Sequence, residues 1–460
     1  MAIDKMIGKR EAIWPSDVPR PILPYSTAIK AGGWVFISGQ VATDFKTGVP
    51  AEAKVDPESP YLSNQLEREA RYIMKNLAAT LQAAGCNIAT DVVRIYTWLK
   101  SAHPTYEEFA QGSSTTSVAV DPYARVFQEV FADPRPASTG MGVRELFVAG
   151  THVEVDIIAM EQHPDLHRQT YDLPQDVPQP VVKYSPALRA GDWIFLAGDL
   201  ATDFQGDFMS ERHLGEPSGI APEARVNPYF WYGSPIATQT DYLLQKLEKI
   251  AKSAGGSLDR CVKADVYIGH PQDLYDIDRV WKRWFPNKPP ARSVIPYMGL
   301  AARGCRIEIS LTLLAGDSSL RIETIETSEA PEPFGHQPQA VKAGNFLFFS
   351  TQLPVDSHGR LPAELKRHPV FPYHKQPPKL QLQYMLKNVA AICEKAGSTL
   401  ENICRCQAFY DDLIHLAPTF EEWHAHFPND PPAMTTIQIG GPLLVPGAHM
   451  LLDLIGYVPD

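Results

Sequence analysis

Apolar residues recur along this chain in two rhythms, and the rhythms alternate in the same order three times. Leu66, Ala70, Ile73, Leu77, Leu81 and Ala84 fall every three or four residues and predict a helix with one apolar stripe. Leu243, Leu247, Ile250 and Ala254 predict a second such helix, and Leu382, Met385, Val389, Ile392 and Ala396 a third. Gly85, Gly255 and Gly397 follow them, where a left-handed cap would end each helix. A short apolar run precedes each helix: Trp34 to Ser38, Trp193 to Ala197, and Phe346 to Ser350. A period of two follows it. Val262, Ala264, Val266 and Ile268 alternate with Lys263, Asp265 and Tyr267, which predicts a half-buried strand. Trp281, Trp284 and Phe285 mark a further helix, matched by Phe127 and Phe131 and by Trp423 and Phe427. Two strands around a turn close each unit. The order ββαβαββ predicts an α+β fold, with one mixed sheet and both helices on one face.

The repetition extends to individual residues. Tyr25-Ser26 leads to Gly39 in the first unit, and Tyr184-Ser185 leads to Gly198 in the second. The third unit has His336 and Thr351 at the corresponding places. Late in each unit stands a Pro-Ala-X-Ser/Thr frame: Pro136-Ala137-Ser138-Thr139, Pro290-Ala291-Arg292-Ser293, and Pro432-Ala433-Met434-Thr435. Only the second copy keeps a cation. The last strands carry Glu154 and Glu308, with Leu451 in the third unit. Proline-rich and charged stretches at 161–179 and 317–333 read as linkers, giving units at 18–160, 180–316 and 334–460. Periods of this size let each unit own a core.

Composition narrows the function. The chain has 460 residues and a net charge of −11, which argues against nucleic acid and anionic membrane as partners. No apolar run approaches the ~20 residues of a membrane helix, and Met1–Arg10 shows no signal-peptide core. Six cysteines without a Cys-x-x-Cys pair read as reduced thiols, Cys404 and Cys406 among them as core residues, in a cytoplasmic protein. His424 and His426 lack the spacing that puts two ligands on one helical face. His103, His163 and His167 lack a cysteine or carboxylate frame, so no metal site is expected. There is no phosphate loop, dinucleotide fingerprint or Gly-x-Ser-x-Gly elbow.

With Tyr184-Ser, Gly198, Pro290-Ala-Arg292-Ser293 and Arg306-Ile-Glu308-Ile in order, the chain resembles the RidA/YjgF family of enamine/imine deaminases. The resemblance covers nearly the whole chain. It implies the chorismate mutase-like fold and, because family members are homotrimers with clefts between subunits, a one-chain pseudo-trimer. Such a particle is expected to act as a monomer, with further self-association left open. The implied reaction is hydrolysis of a small 2-imino or enamino carboxylate to a keto acid and ammonia, without a cofactor. The resemblance makes Arg292 the carboxylate clamp, Glu308 the group that orients water, and Tyr184 their catalytic companion. Gly198, Ser293 and Asp278 would bind substrate, as would Tyr25, Gly39 and Glu154 from the first unit. Asp278 falls where the family has an asparagine, and its charge would repel an acid. The insertion 205–234, with Trp231, could reshape a pocket. The expectation is one working cleft, the one containing Arg292, completed by unit 2 or by unit 1. Read as isolated residues, Arg292 could be a surface ion-pair arginine and the two glutamates solvated. The alternatives are a non-catalytic carboxylate-binding protein, or a chorismatase-like or ring-opening hydrolase on the same architecture.

Overall fold

The computed structural model describes residues 9–101, 116–117, 120–163, 166–205, 219–227, 229–230, 232–333 and 335–459. His103, Trp231 and residues 206–218 of the insertion lie outside the described residues.

Each apolar stripe forms the long helix it predicts: α1 (Gln65–Ala83), α3 (Pro235–Ser253) and α5 (Pro377–Lys395). The side chains of Asn64 and Ser234 accept hydrogen bonds from Glu67 N and Ala237 N, capping two of them, and α5 opens on two prolines. Gly85, Gly255 and Gly397 end the three helices with φ of 85°, 77° and 80°, the left-handed conformation that glycine adopts without strain. The shorter helices are α2 (Asp121–Val130), α4 (Leu274–Trp284) and α6 (Leu416–His426).

Unit 2 shows the plan. Its sheet runs Ala291–Pro296, Cys261–Ile268, Ile307–Leu314, Trp193–Leu200, Ala187–Ala190 and Arg168–Thr170 from edge to edge, with only the first pair parallel. Units 1 and 3 repeat this order. The stretches read as linkers are not wholly irregular: Arg168–Thr170 and Ile322–Ile325 each add an edge strand to the following unit, as Glu11–Ile13 does for the first. The units also exchange short strands. Glu145–Leu146 of unit 1 pairs with Ile437 and Gln438 of unit 3, and Gly299 of unit 2 pairs with Gly142 of unit 1.

One face of each sheet packs on its helices, and each unit owns a core there. The opposite faces meet one another. Trp34 lies 4.9 Å from Trp193 and 4.6 Å from Phe346, so aromatic rings of all three units touch at the centre. Below them lies a buried ionic layer. Arg405 bridges Asp156 at 2.9 Å and Asp453 at 3.4 Å, Lys263 pairs with Asp453, and the Tyr96 hydroxyl donates to Asp265. This corrects the half-buried reading of the strand Cys261–Ile268. Lys263, Asp265 and Tyr267 face neighbouring units rather than water, and every residue of that strand is buried. Buried charge is tolerated because each ion finds a partner across a unit boundary. Cys404 and Cys406 are core residues. No helix among the described residues is long and apolar enough to cross a membrane.

Candidate functional site

Three seams join the units in a ring. In each, the strand beginning at the Pro-Ala frame of one unit lies against the segment of the next that carries Gly39, Gly198 or Thr351. Where unit 3 meets unit 1, Ser26 N donates to Pro432 O and Met434 N donates to Ser38 Oγ at 2.8 Å. Where unit 1 meets unit 2, Ser185 N donates to Pro136 O and Gly198 N to Thr139 Oγ1 at 3.0 Å. Where unit 2 meets unit 3, Thr351 N donates to Arg292 O and Arg292 N to Ser350 Oγ at 3.1 Å.

This ring divides the residues singled out from the sequence. Tyr25, Gly39 and Glu154 share the 3/1 seam. Tyr184, Gly198 and Glu308 share the 1/2 seam. Arg292 and Asp278 stand in the 2/3 seam. Unit 2 therefore does not assemble its own motif set, and Arg292 faces neither Glu308 nor the unit 1 residues. The cause is topological. Arg292 is on the edge strand Ala291–Pro296, Glu308 is two strands away on Ile307–Leu314, and the two strands meet different neighbours. Ser293 lies deeper, in the central ionic layer. Its hydroxyl donates to Asp453 Oδ1 and accepts from Lys263 Nζ, each at 2.6 Å.

Arg292 is fully buried, and two of its three side-chain nitrogens are bonded while Nη1 has no partner among the described residues. Nη2 pairs with Asp278 Oδ1 at 2.7 Å, Nε donates to Gln337 Oε1 at 2.8 Å, and the guanidinium lies 5.0 Å from the Trp281 ring. Burial works to raise the Asp278 carboxyl, but the His336 amide, Arg292 and Lys282 outweigh it and hold Asp278 below the usual range. Gly335, at φ 97°, closes over the pair, and a Cβ there would come within 2.6 Å of Arg292 Nη2. Asp278 thus neutralises the arginine from inside the protein, where the sequence suggested a charge repelling an incoming acid.

The two glutamate seams are built alike. Glu154 and Glu308 are buried, not solvated, and each carboxyl lies where a Cβ on Gly39 or Gly198 would overlap its Oε1. Glycine is required at both positions for this close approach. Burial, then the charge of Asp156, pushes Glu154 well above the usual carboxylate range, against the Thr436 amide. Burial, then Asp199, does the same to Glu308, against the Gly140 amide. In both, the surroundings disfavour the charged form. The tyrosine hydroxyls are raised too, Tyr25 by burial and Glu154, and Tyr184 by burial, Asp199 and Glu308.

The seams differ in what surrounds the acid. No side chain among the described residues donates to the Glu154 carboxyl, and the Tyr25 hydroxyl is also without a partner. In the 1/2 seam the neighbouring Asp199 is tied to Lys246 at 2.7 Å. Beside Tyr184 and Gly198 the free space is about 10 Å³, enough for one water. Beside Thr351, on the side of unit 3 lined by Ala330 and Pro331 rather than by Arg292, it is about 30 Å³. Tyr25 instead lines a cavity of about 720 Å³ together with Trp14, Arg20, Phe420, His424 and Phe427. Arg20 is exposed there, its guanidinium 4.7 Å from the Trp14 ring. Sequence reasoning passed over Trp14 and Arg20, which stand where the matching Pro-x-Asp-Val-Pro-x-Pro phrase of unit 2 has Leu173 and Gln179. An aromatic and a cation among prolines (Trp14-Pro15 and Arg20-Pro21) was the available signal.

The family profile described as Endoribonuclease L-PSP matches this chain three times, over residues 16–161, 174–314 and 327–455. A RutC family protein of Pyrococcus horikoshii is 29% identical over 153 residues, which is 33% of this chain and 99% of the relative. The 3-aminoacrylate deaminase RutC of Acinetobacter baylyi is 27% identical over 138 residues, covering 30% and 91%. Among solved structures, TdcF of E. coli with bound serine aligns at 25% identity over 29% of this chain and 98% of its own, with a TM-score of 0.24.

Proposed function

This chain belongs to the Endoribonuclease L-PSP family in three tandem units, and from that premise we propose that it deaminates a small imino or enamino carboxylate by hydrolysis in the 3/1 seam. The observation that carries this reading is the Glu154 carboxyl. It is buried, raised well above the usual carboxylate range and unpartnered by any described side chain, and it neighbours Tyr25, which lines a cavity of about 720 Å³. A raised carboxyl of this kind can act in both directions. Protonated Glu154 gives its proton to the substrate nitrogen, which makes the imine carbon more electrophilic. The resulting carboxylate takes a proton from the attacking water as the C–O bond forms. Glu154 then gives that proton to the carbinolamine nitrogen, the C–N bond breaks and ammonia leaves, and the hydroxyl proton returns to the Glu154 carboxylate as the keto group forms. The Tyr25 hydroxyl holds the substrate or water in line. Arg20 is the cation on the cavity wall that meets the substrate carboxylate, a role the family likeness gave to Arg292. The deaminase relative acts on an enamino acid, as its name states, and the solved relative holds a small amino acid; both fit this substrate class.

The test is ammonia release from 2-aminoacrylate formed in situ by a serine dehydratase, and from 3-aminoacrylate. The chain should accelerate one or both, and Glu154→Gln should abolish the acceleration. No acceleration with either substrate or with larger imino acids would overturn the proposal. Met434, standing at the arginine position of this seam, favours a second reading as a carboxylate-binding protein without turnover. That reading predicts ligand binding with no ammonia released above background.

A further inference from the structure

At the far end of the unit 3 sheet, a turn and a strand bring two imidazoles and a carboxylate together. Asp411 and His415 flank the turn before α6, and His449 immediately precedes the strand Met450–Tyr457. His449 Nδ1 lies 3.0 Å from Asp411 Oδ2, and His415 Nε2 lies 3.7 Å from Asp411 Oδ1. The two imidazole rings are 4.2 Å apart, and one ligand atom from each residue falls within a 4.8 Å group.

The other units show what this position otherwise does. Sheet register places Asp411, His415 and His449 of unit 3 on Gly269, Asp273 and Arg306 of unit 2. There Arg306 Nη2 pairs with Asp273 Oδ1 at 2.6 Å, an ion pair whose two charges cancel. Unit 3 has exchanged the arginine for an imidazole and the aspartate for a second imidazole, and has added a carboxylate where unit 2 has glycine. An ordinary salt bridge has become three metal-ligand types around one point. The supporting scaffold is unchanged: His449 N donates to the buried Gln381 Oε1 at 2.8 Å, as Arg306 N does to Gln239 Oε1 at 2.9 Å. The Asp412 side chain accepts from Ile414 N and shapes the turn.

We propose that Asp411, His415 and His449 form a binding site for a divalent transition metal of the zinc class. Bonds of about 2.1 Å put neighbouring ligands of a tetrahedral ion about 3.4 Å apart, close to the separations found here. Two imidazoles select such ions over magnesium or calcium, which prefer all-oxygen sites. The three side chains are only partly buried, at 30%, 20% and 22% exposure, so the remaining coordination positions face water. The histidines come from different elements, which is why a search for two histidines at helical spacing does not find them.

The experiment titrates the full chain, first stripped with a chelator, with Zn²⁺ by calorimetry and with Co²⁺ by visible absorption. It is compared with the variant Asp411→Gly, His415→Asp, His449→Arg, which installs unit 2's ion pair. The expected result is one site per chain that binds Zn²⁺ at least about 10-fold tighter than the variant does. Zn²⁺ should also raise the melting temperature of the native chain and not that of the variant. If the triple variant fails to fold, His449→Gln carries the same expectation. Binding equally tight in the variants, or no stoichiometric Zn²⁺ binding by the native chain, would overturn the site.

Discussion

The 3/1 seam keeps a glutamate and has lost its arginine, whereas the 2/3 seam keeps an arginine and has lost its glutamate. In the first, an acid with a raised carboxyl is buried with no side-chain partner among the described residues, next to a tyrosine that lines a large cavity. In the second, a buried cation is held by an internal carboxylate, a glutamine and an aromatic ring, with Nη1 left without a hydrogen-bond partner among the described residues. In a symmetric homotrimer the clefts are identical, so one sequence change alters all of them. Three fused units escape that constraint, and each cleft has changed separately. A complete motif within one unit is therefore no sign of a complete site, because each site draws on two units.

The largest expected effect comes from the arginine seam. Asp278→Ala leaves Arg292 buried without its counter-ion and should cost about 3–5 kcal/mol in urea denaturation. Arg292→Met with Asp278→Leu should restore much of that stability, since an apolar pair can replace a buried ion pair. If Asp278→Ala instead stays stable and gains affinity for small carboxylates, Arg292 is a latent clamp and the contrast between the seams fails.

A smaller effect separates the two glutamate seams. Gly39→Ala and Gly198→Ala each force a methyl group into a carboxyl, and overpacking of this kind costs about 1–3 kcal/mol. Both should lower the melting temperature, but only Gly39→Ala should also remove ammonia release. Equal loss of activity in the two variants would make the 1/2 seam a second working site.

The smallest effect is on the pH dependence of stability. Glu154 and Glu308 are raised in the folded protein, so the folded state keeps protons that the unfolded chain releases. Their contribution is full below the ordinary carboxylate value and is lost as pH rises through the folded-state values. Glu154→Gln and Glu308→Gln should each flatten the fall in melting temperature measured over about pH 5 to 8. An unchanged slope would mean that the carboxyls are ionised in the folded protein.

Much of the fold was legible because single-unit physics decides it. The stripe from Leu66 to Ala84 became α1, and the glycine stops took positive φ because chain direction alone requires it. The polar face of Cys261–Ile268 was misread because its partners lie on other units, far away in sequence. The site was legible in part. Tyr25, Gly39 and Glu154 were found as a set, and the structure keeps them together. The grouping of Arg292 with Glu308 failed because motif order records position along one chain and not which neighbour each strand meets. Asp278 was noticed as a departure, but its partner could be seen only once α4 lay beside the strand Ala291–Pro296.

The central claim is that chemistry belongs to the glutamate of the 3/1 seam and not to the arginine of the 2/3 seam. The most direct measurement is kcat/KM for ammonia release by the native chain, Glu154→Gln and Arg292→Met, each checked for folding and assayed side by side. The account predicts a loss of about 100-fold or more for Glu154→Gln, the scale of a general acid–base group, and a change within about 3-fold for Arg292→Met. Full activity in Glu154→Gln together with a collapse in Arg292→Met would contradict it.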